Sequence, residues 1–591
     1  MVKWDALARL FKRGATLVVT LSQGQTNGQS KWGTLGAPRF GSFLTNNPLP
    51  NGYPWSHDTT SNTNPYTSPP LTGVTRSYDF TVSRGIIAPD GVEKNGLLIN
   101  NQFPGPVIEA NWGDTIQVTV HNQITGPEEG TSLHWHGLLQ KATPWYDGVP
   151  ALQQCPIAPG ASFTYRFQAD LYGSSWYHSH YSAQYAGGLL GPMIIHGPKN
   201  IDYDIDVGPV MLSDHYHQDY NALVELSIGH DPDASLFNSS NSLINGKGEF
   251  NCSSLTDGTT CHPNAGLSKF QFTSGKKHRL RLINTSGEAL IRFTIDEHKM
   301  TVFANDFVPV KPYITDVVTL GVGQRTDVIV EANGHSSAAY WMRSDVSPLC
   351  SLSTKRDGLA VIYYENAAKN AKPASLPTNY TETGCDDLAE TIPMYPITPA
   401  PNPDTTVNVD MTVAVNETGN LVWMMNNSSY RANYNHPLLL LANLGNTSYP
   451  DDPDWNVYNF GSNKTIRFNI YNDNPASHPM HLHGHNMFIL HFGPGRWDGS
   501  SIVNPSNPQR RDVAMVDVNS HLVVQMNADN PGVWPLHCHI VWHVSGGLNL
   551  NVLERPDDIK QVQIPQVMAQ TCRDWAAYTN TTIPDQIDSG I

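Results

Sequence analysis

The chain has 591 residues, enough for several domains, and only 15% of them are charged, against about 25% in an average domain. A formal charge of −16 argues against nucleic acid, whose phosphates call for Lys and Arg, and against a polybasic membrane patch. No apolar run approaches the roughly 18 residues that span a bilayer. The acidic balance suits small neutral or cationic substrates, or simply solubility.

Residues 1–70 lack periodicity and are rich in Pro, Asn, Ser and Thr; they read as a leader and an extended arm. Lys3, Arg9, Lys12 and Arg13 precede the apolar run Ala15 to Leu21, the pattern of a secretion signal with a dibasic processing site; a disordered or altered end is the alternative. From residue 71 a pattern recurs. Alternating strands appear as GDTIQVTVHN (113–122), GKKHRLRLIN (275–284) and NKTIRFNIYN (463–472). Each has a later companion, PGASFTYRF (159–167), VGQRTDVIV (322–330) and HLVVQMNAD (521–529). Period-two strands with Gly and Pro turns predict an all-β chain of three Greek-key β-sandwich domains. The expected limits are 71–200, 201–370 and 371–560, the last including a linker, with a tail at 561–591.

Four histidine-rich strings fall in the first and third units: HWHG from His134, WYHSH from Trp176, HPMHLHGH from His478 and HCHIVWH from His537. The middle unit has ALIRFTIDEH at the matching place, without an H-x-H. In a strand, residues i and i+2 share a face about 7 Å apart, so each H-x-H offers two imidazoles side by side. Imidazole and thiolate are ligands that copper prefers. Four such pairs, drawn from two units, predict a cluster of ions at the interface of the outer domains.

In order and spacing these four strings resemble the ligand motifs of the multicopper oxidases, and over nearly all its length the chain is most similar to ascomycete laccases. The resemblance implies that each sandwich is a cupredoxin domain and that four copper ions are bound: one type 1, one type 2 and two type 3. It assigns His478, Cys538 and His543 to the type 1 ion, with Leu548 at the axial position as a non-ligand. His134 and His481 fall to type 2, and His136, His178, His180, His483, His537 and His539 to the type 3 pair. For Cys538 the alternative is a buried thiol or a disulfide partner; its histidine neighbours speak against both. A Leu that donates no lone pair favours Cu(I) and a raised potential. His537 and His539 flank Cys538 and point to the opposite strand face, so one stretch of backbone joins the two copper centres.

The resemblance also implies roles for two acids. Asp147, in WYDGVP, matches a proton-relay acid beside the cluster; a turn-capping Asp before Gly148 is the plainer use. Glu288, in INTSGEALIRF, matches a pocket acid that orients a phenol and takes its proton; a solvated loop Glu is the alternative. Trp542 and, more weakly, Trp423 are candidates for an aromatic wall, or for packing. His121, His215, His217, His298 and His485 lie outside the matched positions and stay unassigned. Seven cysteines leave six beside Cys538. Their pairings, Cys155 with Cys572, Cys350 with Cys385 and Cys252 with Cys261, lean on the resemblance. Disulfides imply an oxidising compartment, and about ten N-x-[ST] sequons, including Asn238, Asn284, Asn379, Asn446 and Asn463, agree with a secreted glycoprotein. The last residues, Asp588 to Ile591, resemble the laccase tail that enters the channel toward the cluster; a frayed end is the alternative. The implied partners are dioxygen and small phenols or aromatic amines. No nucleic acid or membrane partner is expected, and a monomer is. A ferroxidase, or a copper carrier without turnover, are the competing readings.

Overall fold

The computed structural model describes residues 30–45, 54–55, 64–66, 69–231, 233, 235–387, 391–450, 454–581 and 586–591. The expected leader lies outside them. The described chain is built mainly of strands, grouped into six sheets, two for each of three sandwiches. No described helix is long and apolar enough to cross a membrane.

The internal repeat is a repeat of topology. In the first sandwich, Thr115–Asn122 pairs in parallel with Thr75–Ile87 and antiparallel with Ser162–Gln168. In the second, Lys277–Asn284 lies in parallel beside Ile205–His215 and antiparallel to Arg325–Glu331. In the third, Thr465–Asn472 lies in parallel beside Thr405–Val415 and antiparallel to Ser520–Asn527. The same three strands thus stand together in every unit. Alternation in Thr115–Asn122 is complete: Ile116, Val118 and Val120 are wholly buried while Thr115, Gln117 and Thr119 are half-exposed.

The second sheet of each outer sandwich carries the histidines. His134–Trp135 pairs antiparallel with Gly173–His178, placing His134 opposite His178. His478–Leu482 pairs with Gly532–Cys538, placing His481 opposite His537 and Met480 opposite Cys538. Cross-strand neighbours stand about 5 Å apart, so strand pairing gathers His134 with His178 and His481 with His537, while His136, His180, His483 and His539 follow just past the strand ends. The middle sandwich keeps its own apolar core, whereas one continuous core runs from the first sandwich into the third. Backbone bonds seal that junction, from Leu438 and Leu439 N–H to the carbonyls of Ala151 and Leu152.

Three disulfides form as the resemblance implies: Cys155–Cys572, Cys252–Cys261 and Cys350–Cys385. The first spans 417 residues and ties the first sandwich to the helix Gln566–Thr581. Cys538 stays a buried free thiol. One sequon departs from expectation. Asn284 is fully buried, and its amide donates to the carbonyls of Ala289 and Leu320, so no glycan fits there. Asn238, Asn379 and Asn446 are exposed.

Candidate metal centre

Cys538 ends its strand, and the short helix Val541–Ser545 follows at once, bringing His543 back over the sulfur. Cys538 Sγ lies 3.4 Å from His478 Nδ1 and 3.7 Å from His543 Nδ1, and those two nitrogens are 3.1 Å apart. Cys538 and His478 are wholly buried, while His543 reaches partly toward solvent. Burial pushes the thiol up and draws His478 down to about 3, so without a cation this site is neutral. Leu548, fully buried, closes the turn: its N–H donates to the His543 carbonyl, and its own carbonyl accepts from Cys538 N–H.

The remaining eight histidines converge where the outer domains meet. Three sets bring one ligand atom per residue within 4.8 Å of the others: His134 with His136 and His481, His136 with His178 and His539, and His180 with His483 and His537. The far nitrogens fix the tautomers. Nδ1 of His134, His178 and His481 bonds the carbonyls of Asp147, Ser179 and Asp512 at 2.7, 2.9 and 2.8 Å. That leaves Nε2 of all three buried with no hydrogen-bond partner. His537 Nδ1 meets the Cys538 carbonyl at 2.9 Å, and His483 Nδ1 meets Asp147 Oδ2 at 2.8 Å. Their Nε2 atoms then face each other at 3.1 Å. Two lone pairs so close repel unless a cation lies between them. Burial holds His136, His178, His180, His481, His483 and His539 far below the ordinary imidazole range, and His537 down to about 4. Neutral imidazoles with bare inward nitrogens are the donor set a soft or borderline metal requires, so these residues fit copper.

Two acids hold the cluster. Asp147, at the end of the turn Pro144–Tyr146, touches it twice, through its carbonyl to His134 and its carboxylate to His483. Asp512 is the second, and the sequence reading missed it. Its Oδ1 lies 3.2 Å from His136 Nε2 while its carbonyl holds His481. Arg325 of the middle sandwich clasps the same carboxylate with two bonds of 2.6 and 2.7 Å. Arg325, Asp306, Arg511 and Asp387 continue this network through the interior. The signal in the sequence was the charged triplet Arg510-Arg511-Asp512 set among apolar strand residues.

Three multicopper oxidase family models match residues 81–200, 206–367 and 415–558. The chain belongs to the multicopper oxidases. It is 40% identical to the oxidoreductase OpS5 of Beauveria bassiana, covering 90% of this chain and 91% of that protein. To Laccase-2 of Podospora anserina it is 38% identical, covering 91% and 88%. The crystal structure of the laccase from Botrytis aclada superposes with a TM-score of 0.82 at 35% identity, covering 90% of this chain and 97% of that one.

In this multicopper oxidase the partly open face of His543 is walled by aromatic rings. Trp423 lies 4.0 Å from it, centroid to centroid, and Trp542 is its neighbour in the helix. Val541 N–H donates to the Gly287 carbonyl at 2.9 Å, which sets Glu288 against the same helix. Tyr216 Oη lies 3.4 Å from Glu288 Oε2 and 3.3 Å from Trp542 Nε1. Burial, then the charge of Asp214, raises the Glu288 carboxyl to about 8. The chain's last residues are buried in the interior. Ser589 pairs with Ser545 and Ala432, Gly590 carbonyl accepts from Tyr434 Oη at 2.7 Å, and Asp588 accepts from Ser182 Oγ at 2.5 Å. Ile591 lines a small cavity with His178, His180, His537 and His539. His485 is held by the His483 carbonyl and by Glu554 at 3.0 Å, and stands outside all three cluster sets.

Proposed function

We propose that the chain is a laccase: it removes single electrons from phenols or aromatic amines and reduces dioxygen to water. His478, Cys538 and His543 would hold a type 1 copper, and Leu548, buried beside them, offers it no lone pair. His134 and His481 would hold a type 2 ion, and the sets His136–His178–His539 and His180–His483–His537 one type 3 ion each. Copper supplies one-electron redox chemistry at the first centre and dioxygen binding at the cluster. The protein's own part is positional. Trp423 and Trp542 offer flat apolar walls to an aromatic ring beside His543. Glu288 stands where a phenol hydroxyl would arrive, and its ionised form accepts the proton that one-electron oxidation makes acidic. Asp147 would relay protons to the cluster, since its carboxylate already bonds a cluster histidine.

The observation that carries this reading is the joint between the centres: Cys538 belongs to one set, and His537 and His539, bonded to it on either side, belong to the other. A passive carrier has no use for eight further histidines. Relatives named laccases support the phenol assignment, although the relative at 40% identity carries only the name oxidoreductase. Three disulfides and exposed sequons support secretion. Oxygen uptake decides the substrate class. Consumption with a methoxyphenol well above that with Fe(II) is expected, and a preference for Fe(II) would overturn the reading in favour of a ferroxidase.

A further inference from the structure

Outside the four histidine-rich strings the sequence holds one more H-x-H, His215-Tyr216-His217, that no copper set uses. It sits where the middle domain's strand Ile205–His215 ends. Tyr216 points toward Trp542 and Glu288, so alternation sends its two neighbours the opposite way. On that side the first domain's turn at Asp90 comes in. One ligand atom each from Asp90, His215 and His217 lies within 4.8 Å of the other two. Asp90 is fully buried, His215 is 6% exposed, and the His217 side chain is 14% exposed, which leaves one edge open for entry.

The carboxylate is already oriented. Asp90 Oδ2 accepts from His217 Nε2 and from Asn241 Nδ2, both at 2.9 Å, and Oδ1 accepts from Val92 N–H at 3.2 Å. Asn241 stands directly across the strand pair from His215. His215 has no equivalent tie: its Nε2 is buried without a hydrogen-bond partner. A buried polar atom left bare costs about 1–3 kcal/mol, and here it stands beside two further metal-ligating groups. A nearby cation, Lys94, is turned into the carbonyls of Tyr216 and Gln218 at 2.7 and 2.9 Å.

We propose that Asp90, His215 and His217 bind one divalent ion of the zinc class, apart from the copper centres, and so fasten the first domain's turn to the middle domain's strand. Two imidazoles and one carboxylate, with a coordination position left for water, make an open zinc-type donor set. Calcium and magnesium demand more oxygen ligands than the site offers. The ion takes the place of the hydrogen between His217 Nε2 and Asp90 Oδ2, and the neutral imidazole then carries its hydrogen on Nδ1. Asn241 stays behind as the outer support of the carboxylate.

The test uses the copper-replete protein, freed of loosely held metal by a mild chelator and titrated calorimetrically with zinc chloride. One saturable equivalent is expected. Losing a supporting group costs a metal site 10–100-fold, so losing a ligand through His217→Ala or Asp90→Asn is expected to weaken binding by more than about 100-fold. The blue absorption of the copper protein stays unchanged in both. Zinc-edge X-ray absorption of the unmutated protein, which needs no variant to fold, is expected to show nitrogen and oxygen neighbours at about 2.0–2.1 Å with imidazole scattering. The proposal is overturned by the absence of a saturable equivalent, by undiminished binding in both variants, or by a sulfur neighbour, which would mean zinc sitting at Cys538.

Discussion

At Cys538 and Glu288 burial prepares two different kinds of chemistry. The Cys538 thiol is wholly buried beside two neutral imidazoles, and burial holds its proton on, so a bound cation turns it into the thiolate that copper wants. Glu288 is raised for the same reason, to about 8 from an ordinary 4.5. The sign of its effect follows. Below pH 4.5 the carboxyl is neutral in both folded and unfolded chains, and the folded state loses nothing. Between 4.5 and 8 the unfolded chain gains from ionising while the folded one does not, so stability falls as pH rises through this window. The proton-accepting form appears only toward pH 8, so phenol oxidation should climb over the same range. Glu288→Gln is expected to flatten both the decline in denaturation midpoint between pH 5 and 8 and the rise of kcat/KM for a phenol. A variant that keeps both slopes would remove Glu288 from the account.

Among the elements, the short strands that carry H-x-H were the most legible. Their cross-strand pairing puts His134 and His481 on strands as expected, but His136 and His483 lie just past the strand ends, in turns. The glycine of HWHG was not read, because its reason lies 375 positions further on, in Asp512, and in the middle domain. Gly137 has φ +80°, and a Cβ there would stand 2.6 Å from Asp512 Oδ2, against the Arg325 guanidinium. Gly137→Ala is therefore expected to cost at least about 1–3 kcal/mol and to lower copper content at the cluster, measured by denaturation and metal analysis. Asp512 itself escaped notice because single buried ion pairs leave no periodic mark; only tertiary approach reveals them. Glu288 was legible through resemblance alone, since a loop acid looks solvated until its neighbours are known. The tail is the remaining element with a task. Its bonds to Ser182, Tyr434 and Ser545 hold Ile591 beside four cluster histidines. Deleting Asp588 to Ile591 is expected to lower oxygen turnover while leaving KM for the phenol nearly unchanged; equal turnover would remove the tail from the account.

At the scale of the whole molecule, the middle sandwich binds no cluster histidine yet shapes the cluster from behind. Arg325 fixes Asp512, and Gly323 lets the backbone pass so close to His539 and His136 that a Cβ would meet their rings at 2.9 and 3.1 Å. The outer sandwiches are joined by a shared core, and Cys155–Cys572 ties the first of them to the C-terminal helix. Cys155→Ser is expected to lower stability by about 2–5 kcal/mol, the usual loss for such a bridge, while copper content holds, because no ligand touches that disulfide. The most direct trial of the account is the copper-to-protein ratio of the intact chain beside that of Cys538→Ser, taken together with phenol-driven oxygen uptake. Eight cluster histidines and one thiolate centre predict four ions per chain, falling to three with the loss of blue absorption and of turnover in the variant. A single ion per intact chain, or full turnover without the thiolate, would contradict it.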